Sequence, residues 1–320
     1  MVLATRIAFG EELTNIARIN KNFIVCSTDT KNCGAAMDNF GQLFPNREYC
    51  FGVAEQNLVG SASGFASCGH KVVITAFATF ISMRSCEQIR SYICYPNLNV
   101  TIVGTHAGLQ DGGDGATHQA IEDVAIMRSF PNMTIIQPSD EVSARAAAKS
   151  AMDFVGPLYV RLHRESVRNI HDADNYCFKI GQADILRDYG NDVAIIGTGI
   201  LMEKVLDAAD ILKETGIKSK VIEVHTIKPL DQNTIVKAAK STRAIVTVED
   251  HNIIGGLGSA VAEVISERCP VILKRIGVKD TFGESGNPES LFIKFGMSTN
   301  HIVEAAKEVV LYKTLNNKEI

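Results

Sequence analysis

Short apolar segments alternate with helical patterns along the whole of this 320-residue chain. In the first half, strand-like runs lie at residues 23–27, 72–75, 100–104, 134–137 and 158–162, and helical patterns at 11–20, 55–68, 82–95, 122–129 and 141–153. In the second half, strand-like runs lie at 193–197, 220–224, 244–248 and 271–276, and helical patterns at 201–215, 231–240, 258–268 and 301–312. Strands that are separated by helices predict parallel sheets with helices on both faces. We therefore predict an α/β fold of two doubly wound domains.

The pattern is interrupted between about residues 165 and 190, where the run HDADN at 171–175 is polar and typical of turns. Loss of periodicity in a polar stretch marks a domain boundary. We predict a first domain over residues 1–170, a linker over 171–190, and a smaller α/β domain over 191–320. The chain is long enough for each domain to bury its own core.

Composition narrows the class of protein. A chain with 46% hydrophobic and 21% charged residues is typical of a soluble globular protein, and a net charge of −4 argues against nucleic-acid or membrane-surface partners. The eight cysteines include no Cys-x-x-Cys pair, which indicates reduced thiols and not a disulfide framework or a zinc site. The N-terminus lacks the layout of a signal peptide, and no apolar run approaches the roughly 20 residues of a membrane helix. We expect a cytoplasmic protein.

Glu55 lies in the segment FGVAEQ at residues 51–56, just before a run of small and apolar residues at 58–64. The pattern predicts the start of a helix. An acid in the first turn commonly serves only to interact with the helix dipole. The alternative is a partly buried carboxyl that shares a proton with a ligand. Phe80, in the segment ATF at 78–80, is equally open to a core role and to stacking on a flat ligand.

The segment from residue 106 to 119 carries the strongest functional signal. Five glycines between residues 104 and 115 exclude a continuous helix or strand, and the segment follows a predicted strand. Ligands bind at that edge of parallel sheets. His106 and His118, with Asp114 between them, fit a polar substrate site, because an imidazole can donate to hydroxyls, bind phosphate when charged, or transfer protons.

Two other glycine runs indicate nucleotide binding only weakly. The segment GTG at 197–199 lacks the third glycine of the dinucleotide motif, which favours a tight turn between a strand and a helix. The segment GGLGS at 255–259 precedes a predicted helix and could bind an anion at the helix N-terminus. Close packing is the simpler explanation for its glycines.

Together, these segments resemble the pyrimidine-binding domain of transketolase, a thiamine-diphosphate enzyme. The resemblance rests on FGVAEQ, on ATF, and on DGATHQ at 114–119 with His106 twelve residues before His118. It extends through VEDHNIIGGLG at 248–258 and GESG at 283–286, and so covers nearly the whole chain. A chain that begins at this point resembles the small, C-terminal subunit of a split transketolase. The second domain is then expected to be of the transketolase C-terminal type.

The resemblance implies a transferase of the pentose phosphate pathway that moves a two-carbon glycolaldehyde unit from a ketose phosphate to an aldose phosphate. Glu55 would be the acid that activates thiamine diphosphate through its aminopyrimidine ring. Phe80 would stack on that ring, and Asp29 would approach the thiamine from the end of the first strand.

The resemblance also implies substrate contacts. His118 would lie near the reacting carbons and assist proton transfer, and Asp114 would bind a substrate hydroxyl. His106, Arg6 and Arg164 would hold the sugar phosphate, a role that suits the bidentate fork of arginine. Surface ion pairing is the alternative for Arg6 and Arg164.

Three positions depart from the family pattern. Two ring-wall positions that are aromatic in many transketolases align with Met83 and Cys86, which keeps an apolar wall of different shape. A phosphate-holding serine aligns near Cys33, a poorer hydrogen-bond donor. Cofactor affinity and substrate range are therefore open.

The chain resembles half of an active site. Thiamine-diphosphate enzymes hold their metal with Gly-Asp-Gly followed by an asparagine pair, and here GDG at 113–115 is followed at 138–143 by PSDEVS, which supplies no asparagine. We expect the diphosphate and a divalent cation such as Mg²⁺ to be bound mainly by a partner chain. Two copies of each chain, a heterotetramer with sites at the interfaces, would be the expected assembly.

Other functions remain open. A deoxyxylulose-phosphate-synthase-like protein or a 2-oxo acid dehydrogenase beta chain would share the fold and the glutamate. The synthases typically carry arginine at the position of His106, and the dehydrogenase chains lack the run from Asp114 to His118. A non-catalytic regulatory paralogue is the alternative from another class: retention of Glu55, His106, Asp114 and His118 argues against it, and Met83 and Cys86 leave it open.

Overall fold

A computed structural model describes residues 2–29 and 40–316, so Cys33 lies outside the described residues. The strands are β1 (Phe23–Ser27), β2 (Glu48–Cys50), β3 (Lys71–Phe77), β4 (Val100–Thr105), β5 (Thr134–Ile136), β6 (Leu158–Arg161), β7 (Asp184–Asp188), β8 (Val193–Gly197), β9 (Ser219–Glu223), β10 (Thr226–Lys228), β11 (Ala244–Asn252) and β12 (Ile272–Val278). The helices are α1 (Thr5–Ile19), α2 (Phe40–Leu43), α3 (Glu55–Ser67), α4 (Ala78–Arg84), α5 (Cys86–Gln88), α6 (Asp123–Arg128), α7 (Glu141–Asp153), α8 (Met202–Glu214), α9 (Gln232–Thr242), α10 (Leu257–Arg268), α11 (Pro288–Lys294) and α12 (Thr299–Asn316). A π-helix spans Ile89–Cys94, and 3₁₀ helices span Leu109–Asp114 and Gly199–Leu201.

The first sheet has seven strands in the order β10-β5-β6-β4-β3-β1-β2, all parallel except β10. Its two faces carry separate hydrophobic cores, because successive residues of a strand point to opposite sides. Val25 and Val73 pack with α1 and α7 on one face, and Cys26 and Ile74 pack with α3 and α6 on the other. Burial of both faces explains why these strands appear in the sequence as continuous apolar runs.

The second sheet has five strands in the order β12-β11-β8-β9-β7, with β7 antiparallel to β9. Helices α8 and α12 cover one face, and α9 and α10 cover the other. Leu109 and Ile121 of the first domain belong to the core under α8 and α12, so the two domains share buried apolar surface. Among the described residues, no helix combines the length and the apolar character that crossing a membrane requires.

Strands β2, β7 and β10 were not predicted. β7 lies inside the predicted linker 171–190, and its pattern of half-buried and exposed residues gives no apolar alternation because it forms the sheet edge. β10 comes from the second half of the chain but pairs antiparallel with β5 of the first sheet. The prediction of a linker over 171–190 was therefore wrong for 184–188. β10 has only three residues, which is too short a strand to show periodicity in the sequence.

Two helix predictions also differ from the structure. The pattern at 82–95 forms α4, α5 and a π-helix, and not one continuous helix. The first helix begins at Thr5 and not at residue 11, because Thr5, Ala8 and Phe9 are buried against the sheet. The earlier start places Arg6 on the first turn of α1.

His171 joins the two domains through hydrogen bonds to buried carboxylates. Its Nδ1 and Nε2 lie 3.1 Å from Asp140 Oδ2 and 2.7 Å from Glu223 Oε2. Burial lowers the pKa of His171, but the bonds to Asp140 and Glu223 outweigh burial and raise it to about 10. The ring is therefore protonated at neutral pH and donates from both nitrogens. Asp184 completes a group whose ligand-type atoms lie within 4.8 Å, yet a doubly donating His171 has no lone pair for a metal.

Replacing His171 with alanine is expected to destabilise the protein by about 3–5 kcal/mol, because Asp140 and Glu223 would be left buried without their cation. The folded-state pKa lies above the unfolded value of about 6.5. The stabilisation from His171 should thus be complete below about pH 6.5 and disappear as the pH rises to about 10. Urea unfolding across this pH range tests both points, with His70→Ala, an exposed site, as the control. An equal loss of stability at all pH values would contradict the ion-pair account.

Candidate active site

Glu55 is the first residue of α3 and is only 4% exposed. Its Oε1 accepts a hydrogen bond from Nη1 of Arg84 at 3.0 Å. Glu55 and Arg84 lie at an open cavity of about 510 Å³. The cavity is also lined by Val53, Ala54, Gln56 and Asn57. A buried carboxyl at the wall of an open cavity is accessible to a ligand from one side. An acid that served only to interact with the helix dipole would not need to face a cavity.

Phe80 belongs to a group of four rings that continues from Glu55 to the glycine-rich segment. The Phe80 ring stacks on Phe77 with 5.9 Å between centroids, and His118 meets Phe80 edge-on at 5.0 Å. His106 packs against Phe77 at 4.1 Å. The structure thus brings together Phe80, His106 and His118, three residues that are distant in the sequence.

Parallel strand pairing explains this grouping. Phe77, at the end of β3, is in register with Thr105 at the end of β4. Phe80 follows in α4, and His106 follows directly after β4 with a left-handed φ of 58°. Carboxyl ends of adjacent parallel strands open at one sheet edge, where ligands of such sheets bind. His106 is 2% exposed and His118 is half-buried, so His118 is the histidine nearer to solvent.

The glycine-rich segment is held by the second domain. The Leu109 amide donates to Asp250 Oδ1 at 2.9 Å, and Gln119 Nε2 donates to the Glu284 carbonyl at 3.0 Å. Gly108, with φ of 79°, leaves no space for a Cβ, which would overlap the Asp250 carboxylate. The conformation of the segment therefore depends on both domains.

Arg161 and Asp123 form a fully buried ion pair beneath this segment. Arg161 Nε donates to Asp123 Oδ2 at 2.8 Å, and its Nη2 donates to the Ala120 carbonyl at 2.8 Å and the Asp250 carbonyl at 3.0 Å. Tyr159 also donates to Asp123 Oδ2, at 2.7 Å. Burial raises the pKa of Asp123, but the Arg161 charge outweighs burial and holds it below its usual value. Asp123 is therefore ionised and accepts from both neighbours.

Asp114 and Arg164 form an ion pair at the segment's exposed side. Arg164 Nη1 donates to Asp114 Oδ2 at 3.0 Å and to Asp111 Oδ1 at 3.1 Å, and Arg6 Nε donates to the Arg164 carbonyl at 3.2 Å. Burial and the nearby Asp114 raise the pKa of Asp111, and Arg164 opposes the shift. Arg164 is ion-paired with two aspartates, as the ion-pairing alternative predicted. To bind a phosphate, Arg164 would have to release Asp114 and bind the ligand in its place.

The other predicted cofactor residues lie around the same edge. Asp29 is exposed and follows β1, which neighbours β3 in the sheet. Met83 is exposed one turn after Phe80. Cys86 is half-buried and packs against the core beneath α3. Their contacts with a cofactor remain predictions.

Two residues of the site, Arg84 and Phe77, were not predicted from the sequence. Arg84 contacts Glu55 and also lies over Phe80, with its Cζ 4.0 Å from the ring centroid. The signal was present, because Arg84 follows Phe80 by four residues and i,i+4 side chains meet on a helix. Phe77 joins His106 to Phe80, but in the sequence it resembles any other buried strand residue.

Two amides of the glycine run at 255–259 are hydrogen-bonded to a side chain of the protein itself, that of Glu249. The Glu249 carboxylate accepts hydrogen bonds from the amides of Leu257 at 2.6 Å and Gly258 at 2.7 Å, at the N-terminus of α10. A Cβ at Gly256 would overlap this carboxylate. Burial raises the pKa of Glu249 to about 7, against the effect of the two amides. The helix N-terminus thus holds the protein's own carboxylate and not an external anion, and Gly256 allows this close approach.

Known proteins match both domains. Residues 1–169 match the transketolase pyrimidine-binding domain, and residues 181–302 match the transketolase C-terminal domain. The chain belongs to the transketolase family. The resemblance and the two-domain α/β fold predicted from the sequence are thereby confirmed.

Relatives of this transketolase-family chain include proteins that are named as transketolase subunits. It is 42% identical to the 6-deoxy-6-sulfo-D-fructose transketolase subunit SqwH of Clostridium sp., over 86% of this chain and 85% of the relative. It is 35% identical to an apulose-4-phosphate transketolase subunit of Phocaeicola vulgatus, over 97% of this chain and 98% of the relative. A solved structure described as "split gene transketolase, inactive beta4 tetramer" superposes with a TM-score of 0.87 and 38% identity, over 97% of this chain and 99% of that chain.

The contact between Gly108 and Asp250 provides a test of how this transketolase-family chain holds its glycine-rich segment. Gly108→Ala should destabilise the protein by about 1–3 kcal/mol, because the new Cβ meets Asp250 and the left-handed backbone is strained. Gly113→Ala, where a Cβ meets nothing within 4 Å, should change stability by less than about 0.5 kcal/mol. Thermal unfolding of the two variants measures the difference. Equal stability of the two would contradict the interdomain contact.

Proposed function

We propose that this chain is the C-terminal subunit of a split transketolase, which transfers a two-carbon unit between sugar phosphates with thiamine diphosphate. The observation that carries the proposal is the position of Glu55, buried at the wall of an open cavity and linked through Arg84 to Phe80. His118, in the glycine-rich segment, continues the same surface beyond Phe80. The carboxyl of Glu55, the flat ring of Phe80 and the imidazole of His118 thus follow one another in space along one sheet edge.

The residues fit the aminopyrimidine part of the cofactor. Thiamine diphosphate, when bound, supplies the nucleophilic carbon and the electron sink that side chains lack. Glu55 would share a proton with the pyrimidine ring nitrogen, donating to it when the carboxyl holds the proton and accepting from it when the ring does. Phe80 would orient the ring by stacking, and Asp29 and Met83 would border it. Cys86, which is half-buried, is proposed as a further part of this wall.

The histidines and the ion-paired arginines would bind the substrate. His118, half-buried next to Phe80, would move a proton at the sugar hydroxyl nearest the reacting carbons. Asp114 would accept a hydrogen bond from a second hydroxyl. Arg164, Arg6 and His106 would bind the anionic end of the sugar, and the two arginines are linked through the Arg164 carbonyl.

A second chain is proposed to supply the diphosphate and metal site. The Gly-Asp-Gly at 113–115 has its aspartate in an ion pair with Arg164, and the asparagine pair expected after it is missing from 138–143. The proposed assembly contains two copies of each chain. The related "inactive beta4 tetramer" is described as inactive, which is consistent with a subunit that requires a partner. The scattered cysteines favour the cytoplasm as the place of action.

The relatives are named for sugars that differ in their anionic group. The relative from Clostridium sp. is named for a sulfonated ketose, and that from Phocaeicola vulgatus for a phosphorylated one. Arginine binds either anion through the same paired donors. Xylulose 5-phosphate and 6-deoxy-6-sulfofructose should both be assayed as donors, because a preference for the sulfonate would move the enzyme outside the pentose phosphate pathway.

Activity should require Glu55 and the partner chain. In a coupled assay with the candidate N-terminal subunit, thiamine diphosphate, Mg²⁺, donor and ribose 5-phosphate, we expect Glu55→Gln to lower kcat by about 10²–10⁴-fold. Glu87→Gln, an equal charge change at an exposed site of α5, should leave kcat unchanged.

Three outcomes would contradict the proposal. Activity of the pure chain without its partner would show that the site is complete in one subunit. Activity retained by Glu55→Gln would show that Glu55 is a helix-terminal acid and not the cofactor-activating group. A verified complex that is inactive with every donor would favour a non-catalytic paralogue.

A further inference from the structure

We infer that Arg84 occupies the position of the aminopyrimidine ring in the chain alone, and that cofactor binding must displace it. This inference rests on the proposed function, since it concerns the same Glu55 and Phe80. It adds a residue that competes with the cofactor and that holds Glu55 until the cofactor arrives.

The guanidinium of Arg84 makes the two contacts that are proposed for the ring. Its Nη1 donates to Glu55 Oε1 at 3.0 Å, and its Cζ lies 4.0 Å from the centroid of Phe80. A guanidinium is flat, carries N–H donors in its plane, and stacks on aromatic faces. An aminopyrimidine whose ring nitrogen shares a proton with Glu55 while the ring stacks on Phe80 needs the same space, so both groups cannot be bound at once.

Arg84 is free to move away, whereas its two partners are fixed. Its side chain is 47% exposed, and it ends α4 beside the open cavity, so solvent can receive the guanidinium. Glu55 is 5% exposed at its side chain and fixed in the first turn of α3. An ion pair with one half-exposed partner is weak enough for a ligand to replace.

The contact also explains how Glu55 can remain buried before the subunits assemble. A buried carboxylate without a partner is costly, and Arg84 provides the positive charge in the chain alone. Arg84 is then released when the aminopyrimidine ring binds, because the ring replaces Arg84 as the hydrogen-bond partner of Glu55. Only molecules in which Arg84 has left the site can bind the cofactor. The apparent association constant is therefore the intrinsic one multiplied by the fraction of such molecules.

The test measures thiamine diphosphate binding to the assembled two-chain complex by calorimetry in the presence of Mg²⁺, and not activity. Arg84→Met removes the guanidinium and keeps the length of the side chain, and we expect it to bind the cofactor roughly three- to tenfold more tightly than the native complex. Arg84→Lys, which keeps the charge but has no flat group, should lie between the two. Arg90→Met, an exposed site on the π-helix, should bind like the native complex.

A second measurement separates competition from a general structural effect. In a Glu55→Gln background the carboxylate that Arg84 holds is gone, so Arg84→Met should change cofactor affinity by less than about twofold there. In the chain alone, Arg84→Met should lower the melting temperature, whereas in Glu55→Gln it should not.

Failure of the inference and failure of the proposed function give different results. Weaker cofactor binding by Arg84→Met would show that Arg84 is itself a cofactor ligand, and unchanged binding would show that it does not compete; either result overturns the inference and leaves the proposed function standing. A native complex that binds no thiamine diphosphate would overturn both.

Discussion

The buried ion pair between Arg161 and Asp123 is the interaction on which the candidate site depends. Arg161 ends β6, an interior strand of the first sheet, and Asp123 begins α6 shortly after the glycine-rich segment. The same guanidinium reaches the Ala120 carbonyl and the Asp250 carbonyl of β11. One side chain therefore joins the first sheet, the end of the glycine-rich segment and the second domain. Both charges are fully buried, so removing either one leaves the other uncompensated.

This junction fixes a segment that could not hold its shape alone. Residues 106–119 contain few apolar side chains and several glycines, which cost conformational entropy to order. Asp250 binds the Leu109 amide from one side, and the Glu284 carbonyl binds Gln119 from the other. The second domain thus orders the backbone of the glycine-rich segment. This is a physical reason for a C-terminal domain to accompany the pyrimidine-binding domain in one chain.

Much of this arrangement could be predicted from the sequence. Buried parallel strands such as β1 and β8 are continuous apolar runs. Glu55 and the glycine-rich segment were found by their residue types and by their resemblance to transketolase. The contact of Arg84 with Glu55 was not, because it depends on how α4 packs beside α3.

Other features were hidden for physical reasons. The edge strand β7 is polar, and β10 joins a sheet formed by a distant part of the chain. The imidazolium of His171 lies in a stretch whose polar composition predicts a linker, and its two carboxylate partners come from different domains. Pairings of this kind join residues far apart in sequence, and no local pattern records them.

Hydrogen–deuterium exchange of residues 106–119 in Arg161→Met tests the central claim most directly. If the buried ion pair orders the segment, the amides of Gly108 and Leu109, which bond to Ala120 and Asp250, should exchange at least about tenfold faster than in the native chain. The same amides should be unaffected in Arg187→Met, an exposed site on β7. Native exchange at Gly108 and Leu109 in a folded Arg161→Met chain would contradict the account, because the segment would then be ordered without the ion pair.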